Sequence, residues 1–115
     1  MTKITDLCAE GKIIIGDGAM GTMLGAMGLT GKCPELWCLE APDKVKAKAE
    51  DYIDAGSYLI TTNTFGGTDI KLGECDPKYA EMADEINTAA VRLAKEAAAG
   101  KALVGGDIGS TGHLD

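Results

Sequence analysis

The sequence has few aromatic residues, few basic residues and no long hydrophobic run. Phenylalanine, tyrosine and tryptophan make up 4% of its 115 residues, and lysine and arginine number 11 against 18 aspartates and glutamates. A net charge of −7 argues against binding to the phosphate backbone of nucleic acids, which needs basic surfaces. The apolar runs are far shorter than the roughly 20 residues of a membrane span, and none follows a basic start. The sequence therefore predicts a cytoplasmic protein with neither a nucleic-acid nor a membrane partner.

Residues that could bind a metal are few and scattered. The single histidine, His113, is expected to be solvated, and Cys8, Cys33, Cys38 and Cys75 match no zinc-ligand spacing. Nothing in the sequence indicates an oxidising compartment, so we expect reduced cysteines that serve as small hydrophobic residues. The alternative, a zinc site made from these four cysteines, would need an unusual spacing. We therefore assign no metal ligand and no catalytic residue within the chain.

Three segments share one pattern, a short apolar run that ends in polar residues followed by glycine. The pattern predicts strands over 13–17, 58–62 and 102–107. The first contains Ile13, Ile14 and Ile15 in succession, which is typical of a strand buried on both faces. Two predicted helices separate the strands. Their alternation with the strands predicts an α/β fold with adjacent parallel strands.

Each of the two helices has recognisable start and stop signals. Pro42 and Asp43 open the first, because proline suits the first helical position and aspartate complements the helix dipole, and Gly56 follows it. The second begins after Asp76, the predicted N-cap, and ends at Gly100.

The carboxyl ends of parallel strands meet at one edge of a sheet, which is where α/β proteins bind ligands. We therefore expect Asp17, residues 62–65 and Asp107 to converge there. Residues 16–21 also match the G-x-G-x-x-G pattern of dinucleotide sites. That interpretation is disfavoured, because glycines break the helix that should follow and Asp17 would repel a pyrophosphate.

Five motifs, in order along nearly the whole chain, resemble the homocysteine S-methyltransferase family, including the homocysteine-binding module of cobalamin-dependent methionine synthases. They are residues 17–24, 34–37, 54–56, 62–66 and 107–112. The resemblance implies a (β/α)8 barrel, which takes about 250 residues. Residues 1–115 would then be a partial homocysteine-binding domain, the first three βα units of a truncated TIM barrel.

The resemblance also implies an enzyme, a zinc-dependent methyltransferase that converts homocysteine into methionine. In this family three cysteines late in the barrel hold the zinc, so we expect its ligands outside this chain. Cobalamin would serve as a methyl carrier on another domain. Within the first motif, Asp17 would hold the ammonium group of the substrate, and the N–H groups of Gly18 and Ala19 would meet its carboxylate.

The later motifs would complete the substrate pocket. By resemblance, Thr64 and Phe65 line its amino-acid end, and Asn63 and Asp107 lie close by at its mouth. The partners implied are homocysteine and either a methyl donor or a corrinoid domain that presents the methyl group. The sequence does not distinguish between these donors.

The alternative is a non-catalytic α/β barrel fragment that needs a complementing chain or has lost activity. Three strands leave two open sheet edges, through which the chain is expected to self-associate. The apolar side chains expected to face the barrel interior without opposing strands are Ile13, Ile15, Ile60, Leu103 and Val104.

Overall fold

A computed structural model of the chain describes residues 4–29, 31 and 33–112, so His113 lies outside the described residues. The described part alternates helices with two short strands. The elements are α1 (Ile4–Ala9), α2 (Gly21–Ala26), a 3-10 turn (Pro34–Leu36), α3 (Trp37–Glu40), α4 (Pro42–Asp54), β1 (Leu59–Thr61), α5 (Asp69–Cys75), α6 (Pro77–Ala80), α7 (Ala83–Ala98) and β2 (Leu103–Gly105). No helix in these ranges is long and apolar enough to cross a membrane.

The sheet consists of β1 and β2, which are parallel and in the register Leu59–Leu103, Ile60–Val104 and Thr61–Gly105. Helices α5 to α7 make the crossover between them. The α/β class and the parallel pairing are therefore as predicted.

The predicted first strand is present only as an isolated bridge. Gly16 makes a parallel bridge to Leu59, and the carbonyl oxygen of Ile15 accepts the N–H groups of Tyr58 and Leu59 at 2.8 and 3.2 Å. Burial on both faces was the wrong prediction, because Ile13 is 93% and Ile15 59% exposed. The segment has β1 on one side and no second strand beside it among the described residues.

The start and stop signals located the first helix correctly. Pro42 begins α4, and Gly56 follows its end with φ +115°, a conformation that glycine adopts without steric cost. The predicted second helix is instead divided, because α6 and α7 are separate. Asp76 caps α6 by accepting the N–H of Lys78 at 3.1 Å. Helix α5, which precedes them, was not predicted.

The core lies between the helices and the sheet. Helix α7 buries a stripe rich in alanine, and this stripe packs against α4 and against the sheet. Ile60 is completely buried in that layer, and Leu103 is also buried. Ile60 therefore does not lack opposing groups, because residues of α4 and α7 cover it, and Val104 packs against the same cluster. Trp37 is buried in the neighbouring cluster with Leu24 and Cys38.

The expectation of four reduced cysteines is wrong for two of them. Cys33 and Cys75, 42 residues apart in sequence, form a disulfide that ties the end of α5 to the segment before the 3-10 turn. Cys8 is free and exposed, and Cys38 is free and buried. The pairing depends on how α5 packs against residues 33–36, a tertiary contact that cysteine spacing does not reveal.

Candidate functional site

A cleft of about 310 Å³ lies at the carboxyl edge of the sheet, and we refer to it as the strand-end cleft. The end of β1, the 3-10 turn and three loops contribute to it. Its lining residues are Gly18, Ala19, Met20, Gly21, Pro34, Glu35, Thr61, Thr62, Asn63, Phe65 and Asp107. Five of the seven residues that the sequence singled out for substrate binding thus come together. Asp17 and Thr64 lie next to this lining but are not part of it.

The carboxylate of Asp17 is bonded to the end of β1. One oxygen accepts the backbone N–H of Thr61 at 2.9 Å, and the Thr61 hydroxyl donates to the same oxygen at 3.2 Å. Asp17 thereby continues the pairing with β1 after the bridge at Gly16. In this structure its carboxylate positions the first loop against the sheet.

Asp107 is held through its backbone by the two threonines that follow β1. The Asp107 N–H donates to Thr62 Oγ1 at 3.2 Å, and the Thr64 hydroxyl donates to the Asp107 carbonyl oxygen at 2.7 Å. The two hydroxyl oxygens are 2.6 Å apart. Because Thr64 has only one hydroxyl hydrogen and uses it on Asp107, Thr62 must be the donor between them. The result is a closed ring of hydrogen bonds that joins the loop after β1 to the loop after β2.

The ring leaves the Asp107 carboxylate uncommitted, since no residue in the described part of the chain donates a hydrogen bond to it. Asp107 is half-buried and lines the cleft. Among the aspartates at this edge, Asp107 is thus better placed than Asp17 to meet a bound cation.

Glu35 is a site residue that the sequence analysis missed. It lies in the 3-10 turn, is only 7% exposed and accepts the backbone N–H of Gly66 at 3.2 Å. Burying a carboxylate to this extent costs free energy unless the charge is paired, so a carboxylate at this position favours a positively charged partner. The available signal was an acidic residue between apolar neighbours, namely Pro34 before it and Leu36 and Trp37 after it.

Asn63, which lines the cleft beside Glu35, is hydrogen-bonded to the 3-10 turn and to the buried Cys38. The Asn63 amide donates to the Pro34 carbonyl oxygen at 2.9 Å and to Cys38 Sγ at 3.6 Å. Burial raises the pKa of the Cys38 thiol to about 11, and the nearby Glu35 charge adds to this increase while the Asn63 hydrogen bond opposes it. Cys38 is therefore a protonated thiol at neutral pH, which disfavours a role as nucleophile.

The first loop offers backbone donors to the cleft. The N–H groups of Gly18, Ala19 and Met20 donate to no acceptor within the described residues. Tyr52, on α4, holds this loop in place, because its hydroxyl donates a hydrogen bond to the Ala19 carbonyl oxygen. A Cβ atom on Gly18 would lie 3.1 Å from the Tyr52 hydroxyl oxygen, so this close packing favours glycine.

A second cleft of about 460 Å³ adjoins the first, and we refer to it as the disulfide cleft. It shares Pro34, Glu35 and Phe65 with the strand-end cleft. Its other lining residues are Cys33, Gly66, Lys71, Glu74, Cys75 and Ser110. Within the described ranges, no group of three histidine, cysteine, aspartate or glutamate side chains could hold a metal ion.

A more voluminous depression, about 710 Å³, lies elsewhere on the surface. Its lining residues are Asn87, Thr88, Val91, Arg92, Lys95 and Glu96. All six belong to α7, so the depression lacks groups that converge from different elements. The strand-end cleft is smaller but brings polar groups together from several loops, and we take it as the candidate site.

Comparison with known proteins identifies the family of the chain. The family model described as homocysteine S-methyltransferase matches residues 14–115. A methionine synthase of Mycobacterium tuberculosis is 31% identical over 104 residues, covering 83% of this chain and 9% of that protein. A betaine–homocysteine S-methyltransferase 1 of Danio rerio is 35% identical over 106 residues, covering 88% of this chain and 26% of that protein.

A methionine synthase of Mycobacterium leprae is 34% identical over 105 residues, covering 83% of this chain and 8% of that protein. The chain therefore spans about a quarter or less of the length of these relatives. The matched region contains all residues of the strand-end cleft. The chain belongs to the homocysteine S-methyltransferase family.

Proposed function

We propose that the strand-end cleft binds the amino-acid part of homocysteine for transfer of a methyl group to its sulfur, which yields methionine. The observation that carries the proposal is that one small cleft combines two kinds of polar group. The uncommitted N–H groups of residues 18–20 suit a carboxylate, and the Glu35 and Asp107 carboxylates suit an ammonium group. Groups of both kinds are what a zwitterionic amino acid needs.

In this proposal Asp107 contacts the substrate ammonium, and Glu35 contributes negative charge beside it. Gly18 and Ala19 donate to the substrate carboxylate, while Asn63 and Phe65 bound the space for its side chain. Asp17 and Thr64 act behind the cleft by fixing the first and last loops. The ammonium role that the sequence assigned to Asp17 would fall to its other carboxylate oxygen, because Oδ2 accepts both Thr61 hydrogen bonds.

The family resemblance implies a zinc ion, but the described residues do not provide a suitable set of zinc ligands. Cys33 and Cys75 are joined to each other, Cys38 is buried and protonated at neutral pH, and no other group of ligands is assembled in the described chain. We therefore route no step through a metal at these residues. The proposal places zinc on residues outside this chain, as it does any cobalamin, and gives the 115 residues the task of binding and orienting substrate.

We further propose that these residues form the first part of a (β/α)8 barrel domain. The parallel order of the first segment, β1 and β2 supports this, as does the exposed edge at Ile13 and Ile15. An uncovered apolar edge of this kind favours association. Sedimentation at several concentrations should show self-association of the chain, and a monomer over the whole range would contradict it.

Calorimetric titration with homocysteine and with methionine tests the proposed binding. Asp107→Asn should weaken both ligands about tenfold or more, because a charge-assisted contact contributes about 1.5–3 kcal/mol. Asp54→Asn changes an exposed aspartate at the end of α4 and should leave affinity unchanged. Absence of binding by the unaltered chain, or equal effects of the two substitutions, would contradict the proposal.

A non-catalytic fragment is the second candidate, because the chain spans only a small part of its relatives. If activity has been lost, homocysteine binds but no methionine forms even when the chain is combined with the zinc-bearing carboxyl-terminal part of a family barrel. Incubating that combination with homocysteine and either betaine or methylcobalamin, followed by detection of methionine, separates the two candidates. Methionine formation by the combination, and by neither part alone, would exclude the loss of activity.

A further inference from the structure

The disulfide cleft carries chemistry that the proposed function does not use. Cys33 is 8% exposed and packs with Leu36, Leu72 and Ile86, whereas Cys75 at the end of α5 is half-buried. Both sulfur-bearing residues line a space that shares Pro34, Glu35 and Phe65 with the lining of the strand-end cleft. The wall that would bound a substrate side chain is thus also a wall of the space in front of the disulfide.

We propose that the Cys33–Cys75 disulfide is a thiol-exchange site for the amino-acid thiol that binds in the strand-end cleft. The inference rests on the proposed function, which makes that thiol homocysteine. The homocysteine thiolate attacks Cys75 Sγ, the bond between the two protein sulfurs breaks, and Cys33 leaves as a thiolate that takes a proton from water. Homocysteine is oxidised as the protein disulfide is reduced, so the exchange needs no other oxidant.

The direction of attack follows from access. An incoming thiolate must approach along the sulfur–sulfur axis, and Cys75 is the partner that the cleft leaves more exposed. Lys71 lines the same cleft, and its ammonium group favours negative charge on both the entering and the leaving sulfur. Its Nζ lies 3.5 Å from a Glu74 carboxylate oxygen, and its side chain remains 37% exposed, so this ion pair does not bury the charge.

The product is also accommodated by the fold. After exchange Cys33 carries a thiol, which packs as a small hydrophobic group within the cluster that already surrounds it. Cys75 carries the homocysteine at the open side of the cleft. The cross-link between α5 and the segment next to Glu35 is opened, and the bound amino acid remains beside the cleft that recognised it.

The test uses the full chain carrying Cys8→Ser, which removes the exposed free thiol, purified without reductant. Samples receive L-homocysteine or 2-mercaptoethanol at equal thiolate concentration and are quenched with acid before intact-mass measurement and peptide mapping. We expect an adduct on Cys75, with Cys33 free, that forms about tenfold faster with homocysteine because binding positions its thiol. Excess methionine, which has no thiol, should slow the homocysteine reaction and leave the 2-mercaptoethanol reaction unchanged.

A matched pair of lysine variants tests the role of the cleft. Lys71→Gln should slow exchange several-fold with both thiols, because it removes the cation beside the disulfide. Lys78→Gln changes an exposed lysine on α6 and should leave both rates unchanged. Equal rates for Lys71→Gln and the parent chain would remove Lys71 from the proposal.

Equal rates for the two thiols, an adduct on Cys33 alone, or reduced Cys33 and Cys75 in the purified protein would each overturn the exchange proposal. Failure of the proposed function has a different signature, namely no calorimetric binding of methionine. If methionine binds and the two thiols react equally fast, only the exchange proposal fails.

Discussion

Two isoleucine-containing segments that lie side by side have opposite environments. Ile60 in β1 is completely buried, whereas Ile13, in the segment that bridges to β1, is 93% exposed. β1 has neighbours on both sides, and α4 and α7 cover the face that carries Ile60. The comparison shows that apolar content alone does not bury a strand, because burial also needs a neighbouring strand and a covering layer.

The largest difference between the segments should appear in stability. Ile60→Ala removes buried atoms from a packed layer and should lower the free energy of unfolding by about 3–4 kcal/mol. Ile13→Ala should change it by less than about 0.5 kcal/mol, because its side chain is already solvated. Urea unfolding of both variants measures this, and equal losses would show that the first segment is buried in solution.

The buried thiol of Cys38 should make the stability of the chain depend on pH. Unfolded Cys38 has its ordinary pKa of 9.0, and burial raises the folded value to about 11. Between these values the unfolded chain binds fewer protons, so stability present below pH 9 should be lost as pH rises towards 11. The loss is about 2–3 kcal/mol.

Cys38→Ser should remove this part of the pH dependence, and Cys8→Ser, at an exposed site, is the control variant. Urea unfolding at several pH values gives both slopes. Parallel pH profiles for the parent chain and Cys38→Ser would contradict a raised Cys38 pKa.

Asp17 connects the two segments, so its removal should have an intermediate effect. Asp17→Ala leaves the Thr61 N–H without its acceptor, which should cost about 1–2 kcal/mol in the free energy of unfolding. Asp54→Ala, at an exposed site, should cost less than about 0.5 kcal/mol. If urea unfolding finds Asp17→Ala neutral, the first segment is not held to β1 by this contact.

The smallest expected effect is a gain in stability from a substitution at the end of α7. Ala99 follows α7 with φ +47° and ψ +35°, a left-handed conformation that is unfavourable for residues with a Cβ atom. Ala99→Gly should stabilise the chain by about 0.5 kcal/mol after the extra chain entropy of glycine is subtracted. Ala98→Gly, within α7, should instead cost about 1 kcal/mol, and thermal unfolding distinguishes the two signs.

Local signals were sufficient where structure depends on neighbours in sequence. Pro42 and Gly56 bounded α4, and the repeated polar ends of apolar runs located one edge of the sheet. Parallel geometry then requires those ends to converge, which is why most of the expected site residues share a cleft. Helix α5 had a usable signal that was overlooked, since Thr68 caps it by accepting the N–H of Lys71 at 3.1 Å.

What could not be predicted depends on contacts between distant parts of the chain. The burial of Glu35 follows from the loop at Gly66 folding over it, and the disulfide follows from α5 approaching residue 33. The exposure of Ile13 depends on which strand, if any, lies beside it. None of these contacts has a periodicity or spacing that marks it in the sequence.

The ring formed by Thr62, Thr64 and Asp107 has a consequence for motion. The Asp107 amide hydrogen is held by a hydroxyl of the other loop, so it exchanges with solvent deuterium only when the loops separate. Because the ring closes on the same residue, its hydrogen bonds are expected to break together. The exchange rate of that single amide would therefore report the free energy of separating the loop after β1 from the loop after β2.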